Sequence, residues 1–334
     1  MKALKDGLGK IMCDTAVQLG FCAYSILSVE PRSISELKKR LKESYVSSSA
    51  DLRDWPGYML RTAGKRADPL VLCPWARSFA IFAFPFKKIP LNKNFLPETA
   101  DDSVSGLVAG YAGRIDYHIF LREKIIRFAE SMKKNLGKDF RDEVFVDTKP
   151  VAEKSLAAFS GLGCIGLNSC LLCKGQGSGT CLGILALDIE LPATEHADYA
   201  APCSTCVRCV ERCPTGAITG KPGEFIYRKC RSYITMEKKG ELEKNESAFL
   251  GDWIFGCDIC TSLCPGSSLP SPIRTNLEWL LLEKDSVVNN IIKGTPLEYP
   301  SLKLLRRNAL AVLKNKKSSR AGELAEKFIR LNPS

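Results

Sequence analysis

The sequence lacks the features that would place it in a membrane or a secretory pathway. No uncharged apolar run reaches the roughly 20 residues that a membrane-spanning helix needs. The longest candidate, residues 15–29, is interrupted by Gln18, Gly20 and Ser25. It also lacks the short basic head and dense apolar run of a secretory signal. The sequence therefore predicts a soluble, cytoplasmic protein.

Nucleotide-binding motifs are absent as well. The segment from Gly175 to Gly179 reads GQGSG, without the G-x-G-x-x-G spacing of a dinucleotide site, and there is no P-loop. The sequence therefore gives no support for nicotinamide or ATP as a cofactor. With 45% hydrophobic and 25% charged residues the chain is nevertheless globular. Its 334 residues are enough for two or three domains.

Cysteine, by contrast, is abundant: the chain has fifteen, and eight of them lie within residues 203–264. Residues 203–214 read CSTCVRCVERCP, which is the C-x2-C-x2-C-x3-C-P pattern of bacterial two-cluster ferredoxins. Residues 257–265 read CDICTSLCP and are one cysteine short of a second copy. Ile254 stands where that copy would begin, and Cys230 is the candidate for the missing ligand.

We assign these eight thiolates to two [4Fe–4S] clusters. The fourth cysteine of such a run follows a three-residue gap and ligates the other cluster. The alternatives are disulfides, which no secretory signal supports, and zinc ribbons, which favour two C-x2-C pairs over a triple spacing followed by Cys-Pro. The first cluster is assigned Cys203, Cys206, Cys209 and Cys264, and the second is assigned Cys213, Cys230, Cys257 and Cys260.

Four more cysteines, just before this region, form a separate group. Within it, Cys170 and Cys173 have the C-x2-C spacing of a metal knuckle. Free cysteine is also a common small core residue, so a third metal site and simple packing both stay open. The group consists of Cys164, Cys170, Cys173 and Cys181.

Basic residues outnumber acidic ones by 48 to 37, which gives a net charge of +11. The excess is concentrated near the C-terminus, where residues 303–330 carry nine basic and two acidic side chains. Such a segment is an electrostatic surface suited to a polyanion. A charged helical face can equally be one that is only solvated.

The first two hundred residues alternate between predicted strands and helices. A buried strand is predicted over residues 78–86, and a short strand over 144–146 that ends at Asp147. Asp116 is placed to cap a helix that runs to about Leu136. Strand ends of this kind are where α/β sheets usually bind ligands.

Three further helices are predicted, over residues 150–161, 300–315 and 319–331. Together the patterns predict an α+β protein in three parts. These are an N-terminal α/β domain over 1–197, a bacterial two-[4Fe–4S] ferredoxin-like module over 198–270, and a short basic α-helical tail over 271–334.

Several short motifs follow one another in a distinctive order. They are RADP at Arg66, DYH at Asp116, VDTKPVAEK from Val146 and GLGCIGLN from Gly161, followed by the eight-cysteine module with CRSYIT at Cys230 and GCDIC at Gly256. This order resembles the epoxyqueuosine reductase family, cobalamin-dependent iron–sulfur enzymes that act on tRNA. The resemblance covers about residues 10–270. Many ferredoxins share the cysteine spacing alone, whereas the whole combination is far more specific.

The resemblance implies a fold, a reaction and a proton donor. It implies that the N-terminal domain binds base-off cobalamin and that the tail is HEAT-like. The reaction is reduction of the epoxide of epoxyqueuosine in tRNA to the alkene of queuosine. Electrons pass through the two clusters to give cob(I)alamin, and Asp147 protonates the departing oxygen. A carboxylic acid in a mostly apolar pocket can stay protonated near pH 7 for this task. Helix capping is the alternative role of Asp147.

The resemblance also implies positions that contact cobalamin. Arg66, Ser232 and Asp258 match family positions near the corrin ring. Leu171 and Leu182 fall where the family lines the corrin pocket, although core packing is an equal alternative for both. Two further positions depart from the family, as Leu167 replaces a lysine and Ile184 a glutamate, and both changes remove charge near this pocket.

A histidine ligand to cobalt is not expected. The chain has two histidines, His118 and His196. The D-x-H-x-x-G motif of histidine-ligated cobalamin begins at Asp116, but Leu121 occupies its glycine position. For His118, a packed helix residue and a role within the family DYH motif remain as alternatives.

The resemblance implies tRNA and a flavodoxin- or ferredoxin-like electron donor as partners. Lys238, Arg306 and Arg307 are the candidate RNA contacts. We expect a monomer with no membrane partner. The departures at Leu167 and Ile184 favour one alternative function, a dehalogenase-like corrinoid reductase of another small substrate. A second alternative is a non-catalytic two-cluster electron carrier, in which residues 1–200 only dock a partner.

Overall fold

The computed structural model describes residues 2–47, 55–194 and 202–332. Within these ranges, no helix has the length and apolar character needed to cross a membrane. The strands are β1 (Ala23–Ser28), β2 (Ser78–Pro85), β3 (Ser105–Val108), β4 (Asp142–Phe145), β5 (Gly163–Ile165), β6 (Leu171–Cys173), β7 (Thr180–Leu187), β8 (Trp253–Phe255) and β9 (Ile273–Asn276).

Helices occur along the whole described chain, and the longest is α4 with 20 residues. The first five are α1 (Lys2–Gln18), α2 (Pro31–Ser47), α3 (Gly57–Arg66), α4 (Tyr117–Leu136) and α5 (Glu153–Phe159). The next four are α6 (Arg208–Glu211), α7 (Arg231–Met236), α8 (Lys244–Phe249) and α9 (Ile259–Ser262). The last four are α10 (Leu277–Leu282), α11 (Asp285–Ile292), α12 (Leu302–Asn315) and α13 (Ser319–Leu331).

The larger sheet has the strand order β1-β2-β7-β4, and each neighbouring pair is antiparallel. All eight residues of β2 are buried, which confirms the strand predicted over 78–86. The prediction of a mixed domain of helices and strands is confirmed. The α/β label, however, suggested parallel strands with crossover helices, and this sheet is antiparallel throughout.

Helix α4 covers one face of this sheet, as its apolar spacing predicts. Asp116 caps the helix by accepting a hydrogen bond from the His118 backbone N–H, and Gly137 ends it in a left-handed conformation with φ +58°. Its inward stripe is completely or almost completely buried against β2 and β7 and consists of Leu121, Ile125, Phe128 and Met132.

The loop between β4 and α5 differs from the prediction. Helix α5 begins at Glu153, three residues after Pro150, because the Val151 backbone N–H bonds to the Lys149 carbonyl at 2.7 Å in a tight turn. The short strand ends at Phe145, and Asp147 follows it with a positive φ of 49°. This turn sets Asp147 ahead of the helix rather than at its capping position.

The smaller sheet joins distant parts of the chain. Strand β3 lies between β8, to which it is parallel, and β9, to which it is antiparallel. The three predicted domain boundaries remain a prediction, and β3, from the first part, forms this sheet with strands from the other two. Ile254, at the position of the missing cysteine, is fully buried in β8.

The two C-terminal helices lie where the sequence predicts them, within one or two residues. Helix α12 packs into the same core as β3, β8 and α10. Its buried Asn308 donates to the carbonyls of Thr235 at 2.8 Å and Ile254 at 2.9 Å. The tail is therefore part of the body of the protein and is held there by hydrogen bonds as well as apolar contacts.

We expect Asn308→Ala to lower the free energy of unfolding by about 2 kcal/mol, because two buried carbonyls would lose a hydrogen-bond donor. The measurement is the thermal unfolding midpoint of the reconstituted protein. The matched control is Asn315→Ala, on the same helix as Asn308. It removes an exposed hydrogen bond to the Ser247 carbonyl of α8 and should change the free energy of unfolding by less than about 0.5 kcal/mol. Equal midpoints for the two variants would contradict this role of Asn308.

Candidate active site and cluster module

Asp147 has an exposed carboxylate on a strained backbone. Its side chain is 69% accessible, and its φ of 49° lies in the left-handed region that most side chains avoid. The backbone is held there because the Asp147 N–H donates to Glu153 Oε1 at 2.7 Å. Asp147 Oδ2 accepts a hydrogen bond from the Tyr117 hydroxyl at 2.8 Å. Such strain concentrates at functional sites.

Tyr117 is a fixed hydrogen-bond donor to this carboxylate. Burial, together with the charge of Asp147, raises the pKa of Tyr117 well above its ordinary value, so the phenol keeps its proton. An aromatic wall stands behind it, with ring centroids 6.3 Å apart between Tyr111 and Tyr117 and 5.3 Å apart between Phe86 and Tyr111. The hydroxyl therefore has a defined position beside Asp147.

Glu153 is the functional candidate that sequence reasoning missed. Burial, followed by the negative charge of Asp147, raises the pKa of Glu153 to about 8. The sequence argument placed a protonated carboxyl in an apolar pocket at Asp147, but the structure exposes the Asp147 side chain and gives the buried carboxyl to Glu153. The available signal was the glutamate of the VDTKPVAEK motif, six residues after Asp147.

Arg66 faces the same loop from the last turn of α3. Its Nη1 donates to the Val151 carbonyl at 3.4 Å, and its Nε donates to Thr62 Oγ1 at 3.1 Å. The positive charge of Arg66 opposes the rise in the Glu153 pKa. The structure thus brings two of the predicted cofactor positions, Arg66 and Asp147, to one place.

Asp258 and Ser232 lie next to predicted cluster ligands. Asp258 is buried, and its Oδ2 accepts the Gly110 backbone N–H at 2.7 Å. Burial raises the pKa of Asp258 to about 6 although this hydrogen bond lowers it. Asp258 thereby fixes the turn that carries Tyr111. The Ser232 hydroxyl donates to Met236 Sδ at 3.5 Å on α7.

The two leucines and the two departures from the family lie in packed surroundings. Leu171 in β6 and Leu182 in β7 belong to one buried cluster, which supports the core-packing alternative. Ile184 is fully buried in the same cluster. Leu167 lines a cavity formed by cysteines. Ile184 is thus a core position, and Leu167 lies beside the cysteines of the first predicted set. That the two departures remove charge near the corrin pocket stays a prediction.

The first predicted cluster set is assembled around one cavity. Its four cysteines line this cavity together with apolar side chains from two further segments, around Leu167 and Leu263. Arg208 and Pro265 in the lining are exposed, so this cluster position lies near the surface. The lining is formed by Cys203, Cys206, Cys209, Cys264, Leu167, Asn168, Leu172, Arg208, Leu263 and Pro265.

The thiols of the second set act on one another electrostatically. The negative charges of Cys257 and Cys213 raise the pKa of Cys230, after the larger effect of burial. Burial raises the pKa of Cys213 too, but backbone N–H groups outweigh it and lower that pKa overall. One of them is the Ala217 N–H, 3.3 Å from Cys213 Sγ. Stabilisation of a thiolate by N–H groups is what a cluster ligand needs.

The remaining cysteines form no third metal site among the described residues. In those ranges, no three histidine, cysteine, aspartate or glutamate side chains come together to hold a single metal ion. Cys173 and Cys181 are buried in the core, which is the packing alternative. His196 lies outside the described residues.

The three candidate RNA contacts are engaged within the chain. Arg307 donates to the carbonyls of Ile234, Lys238 and Gly240 at 2.7–2.9 Å. Arg306 donates to the Leu280 and Glu283 carbonyls at 3.0 and 2.6 Å and pairs with Asp285. Lys238 pairs with Glu246 at 2.6 Å. Their contact with RNA stays a prediction, whereas their hydrogen bonds and ion pairs join segments of the fold.

Comparison with known proteins shows the same two-part pattern. Residues 66–148 match the family model described as "Epoxyqueuosine reductase QueG, DUF1730", and residues 202–267 match a "4Fe-4S double cluster binding domain". The prediction of an iron–sulfur module is thereby confirmed at the level of the domain. Strand β4 and Asp147 lie at the end of the first match.

Curated relatives cover most of this chain. The epoxyqueuosine reductase of Leadbetterella byssophila is 31% identical over 307 residues, which are 88% of this chain and 94% of that protein. The enzyme of the same name from Cyclobacterium marinum is 33% identical over 267 residues, or 79% of this chain and 80% of that protein.

Solved structures show the same fold. Epoxyqueuosine reductase from Streptococcus thermophilus aligns with a TM-score of 0.79 at 23% identity, covering 97% of this chain and 85% of the other. An epoxyqueuosine reductase bound to a tRNA-Tyr stem loop modified with epoxyqueuosine aligns with a TM-score of 0.79 at 22% identity, covering 99% and 87%. With relatives above 30% identity that this chain spans almost completely, the chain belongs to the epoxyqueuosine reductase family.

Proposed function

We propose that this protein reduces the epoxide of epoxyqueuosine in tRNA to the alkene of queuosine, in the cytoplasm. The observation that carries the proposal is the exposed Asp147 carboxylate, held by Tyr117 and Glu153 in a chain that also contains a double-cluster domain. Its relatives are named for this reaction, and a protein of the same fold holds the modified stem loop. Each turnover consumes two electrons and two protons and releases water.

The arrangement of the eight cysteine thiols fits two [4Fe–4S] clusters. Four cysteines share one cavity, and the other four include a thiol stabilised by backbone N–H groups. We assign the first set to the cluster far from Asp147 and the second set to the cluster near it. The reason is that Cys230 leads directly into α7, and Glu237, which follows α7, interacts electrostatically with Asp147. With both clusters bound, the first set would receive electrons on the exposed side, and the second set would pass them to the cofactor beside Asp147.

The residues also fit base-off cobalamin. Arg66 lies beside the loop that carries Asp147, and Asp116 holds Nδ1 of His118 at 2.7 Å, an arrangement compatible with a cobalamin that takes no histidine ligand. We propose that Arg66, Ser232 and Asp147 border the corrin ring and that Asp258 acts by fixing the Gly110 turn. Leu171 and Leu182 would support this pocket from the core. When bound, cobalamin supplies low-valent cobalt as a strong reductant.

Asp147 is the group that protonates the departing oxygen. Opening an epoxide leaves an alkoxide, which is a poor leaving group unless a proton arrives as the bond breaks. The Tyr117 hydroxyl fixes Oδ2, and the Glu153 hydrogen bond fixes the backbone. The acid is therefore aimed by two contacts that do not depend on the substrate.

The electron donor would approach the first cluster set. Val207, between two of its cysteines, is 48% exposed, and Arg208 and Arg212 beside it are exposed as well. An apolar contact with a basic rim suits the acidic surface of a flavodoxin- or ferredoxin-like protein. The donor and a monomeric state remain predictions.

The test of the proposed function is anaerobic reconstitution with iron, sulfide and cobalamin, followed by incubation with epoxyqueuosine-containing tRNA and a one-electron donor. Nucleoside analysis should show queuosine replacing epoxyqueuosine. Binding of both cofactors without any queuosine formation would contradict the proposal.

Lys303, Lys314 and Lys317 belong to the basic tail that the sequence offers to phosphates, and all three are exposed, whereas Arg306 and Arg307 are engaged within the chain. We expect the combined change of the three lysines to alanine to weaken tRNA binding about tenfold or more and to reduce its salt dependence, because each phosphate contact releases counterions. The measurement is the Kd for tRNA at several salt concentrations.

The matched control changes three exposed lysines outside the tail, Lys10, Lys134 and Lys138. It removes the same total charge, so a general electrostatic effect would weaken binding equally in both variants. A tail variant that binds no more weakly than this control would show that the tail is only solvated.

A further inference from the structure

Two tyrosines differ from every other aromatic side chain whose exposure the structure describes. Tyr58 is 40% exposed and Tyr299 is 62% exposed, whereas the others are buried or half-buried. Burial raises the pKa of both phenols, and the charges of Glu237 and Asp147 add to the rise. Because charges have such an effect only on groups that lie close to them, both tyrosines border the site of Asp147.

Tyr299 is held at this place by the segment that precedes it and by its own hydroxyl. The Asp116 backbone N–H donates to the Gly294 carbonyl at 2.8 Å, which fastens this segment to the start of α4. Tyr117, the next residue of α4, is the donor to the proposed acid. The Tyr299 hydroxyl donates to Glu237 Oε2 at 3.1 Å. The ring is therefore anchored at its polar end, while most of its surface stays open to solvent.

The chain on either side of Tyr299 presents exposed positive charge. Lys293 comes before it and Lys303 after it, and both are exposed. The acidic residue of this stretch, Glu298, is engaged, since its carboxylate accepts the Gly294 backbone N–H at 2.9 Å. An open aromatic ring among exposed lysines is typical of surfaces that bind single-stranded nucleic acid.

The proposed reaction creates a need for such a ring. Asp147 can reach the modified nucleoside only when that nucleoside leaves the stack of bases in its RNA loop, and the neighbouring bases then lose a stacking partner. Proteins that bind RNA loops commonly supply an aromatic side chain as the new partner. Tyr58 is less suited, because the Arg66 guanidinium lies over its ring at 5.9 Å, on the side that we assign to the corrin.

Resting on the proposed function, we propose that the Tyr299 ring stacks on a base directly next to the epoxyqueuosine nucleoside and so positions that nucleoside beside Asp147. The ring replaces the stacking contact that the modified nucleoside gives up, and Lys293 and Lys303 contact phosphates of the same strand. Because Glu237 fixes the hydroxyl before RNA binds, little side-chain freedom is lost on binding. Tyr299 binds the substrate and takes no part in breaking bonds.

The first test is the Kd of the reconstituted enzyme for a stem loop that carries epoxyqueuosine. We expect Tyr299→Ala to weaken binding about tenfold, within the range for loss of one base–aromatic stack, and Tyr299→Phe to bind like the wild type. The control is Val17→Ala, which changes a 67% exposed apolar side chain of α1 and should leave the Kd unchanged. Equal weakening in the alanine and phenylalanine variants would assign the effect to the hydroxyl and overturn the proposal, as would an unchanged Kd in Tyr299→Ala.

The second test identifies the base. Two further stem loops each lack one of the bases that flank epoxyqueuosine, with sugar and phosphate kept. We expect one of them to bind the wild type about tenfold more weakly, yet to bind Tyr299→Ala as the intact stem loop does, because ring and base form one contact. Additive losses with both stem loops would overturn the stacking. A wild-type enzyme that shows this coupling but forms no queuosine would contradict the proposed function alone, so the two failures are distinguishable.

Discussion

Replacing Asp147 by alanine is expected to reduce the rate of queuosine formation by at least about 100-fold, because the departing oxygen would lose its positioned proton donor. Asp147→Asn should be nearly as slow, since an amide keeps the shape of the side chain but cannot act as the acid. The measurement is kcat from nucleoside analysis under anaerobic multiple-turnover conditions. Iron content and the corrinoid absorption spectrum should match the wild type.

The matched control for this prediction is Thr148→Ala, the next exposed position in the same loop. It changes the loop surface without touching the hydrogen bonds from Tyr117 or to Glu153, and it should leave kcat within about twofold. Wild-type activity in Asp147→Ala would remove the proposed role. Loss of activity with the Thr148 variant alone would show that loop shape, rather than the acid, limits the reaction.

Changing Cys230 to serine is expected to abolish turnover and to remove one of the two clusters. Cys230 stands alone in the sequence, 17 residues after Cys213 and 27 before Cys257, so its assignment rests on the electrostatic contact among these thiols. Serine keeps the size of the side chain and removes the thiolate that iron–sulfur clusters require. Iron analysis should fall to about half, and the electron paramagnetic resonance spectrum of the reduced protein should show one cluster.

Cys164→Ser is the control for the cluster prediction. Cys164 is a half-buried cysteine outside the eight cluster ligands. Burial raises the pKa of its thiol to about 11, and the charges of Cys203 and Cys264 add to this rise. If it is only a packing residue, its variant should keep the full iron content and activity. Full iron in Cys230→Ser would show that another residue completes the second cluster. Iron loss in Cys164→Ser would show that Cys164 supports the first cluster rather than only packing beside it.

Local patterns predicted the local structure well. Strand β2 and helix α4 were found from their apolar spacing, because burial on one face leaves a periodic signature in the residues themselves. The cysteine spacing likewise predicted the double-cluster domain. Asp116 was correctly placed as the cap of α4, since a capping side chain and the helix it begins are adjacent in sequence.

Features that depend on distant segments could not be predicted in the same way. The antiparallel order of the larger sheet and the place of β3 between β8 and β9 arise from pairings across long stretches of chain. Glu153 resembles any exposed glutamate in sequence, and only the packing around it raises its pKa. Arg306 and Arg307 look like RNA contacts by charge alone, whereas the carbonyls that they bind belong to other segments of the fold.

Strand β3 belongs to the first part of the chain but forms a sheet with β8 of the iron–sulfur module and β9 of the tail, so we expect these parts to fold together. A fragment beginning near Cys203 would carry all eight cluster thiols and yet leave β8 and β9 without the strand that joins them. Such a fragment should accumulate as insoluble material rather than as a miniature ferredoxin. The double-cluster domain of this protein is therefore expected to fold only together with the strand that the first part of the chain supplies.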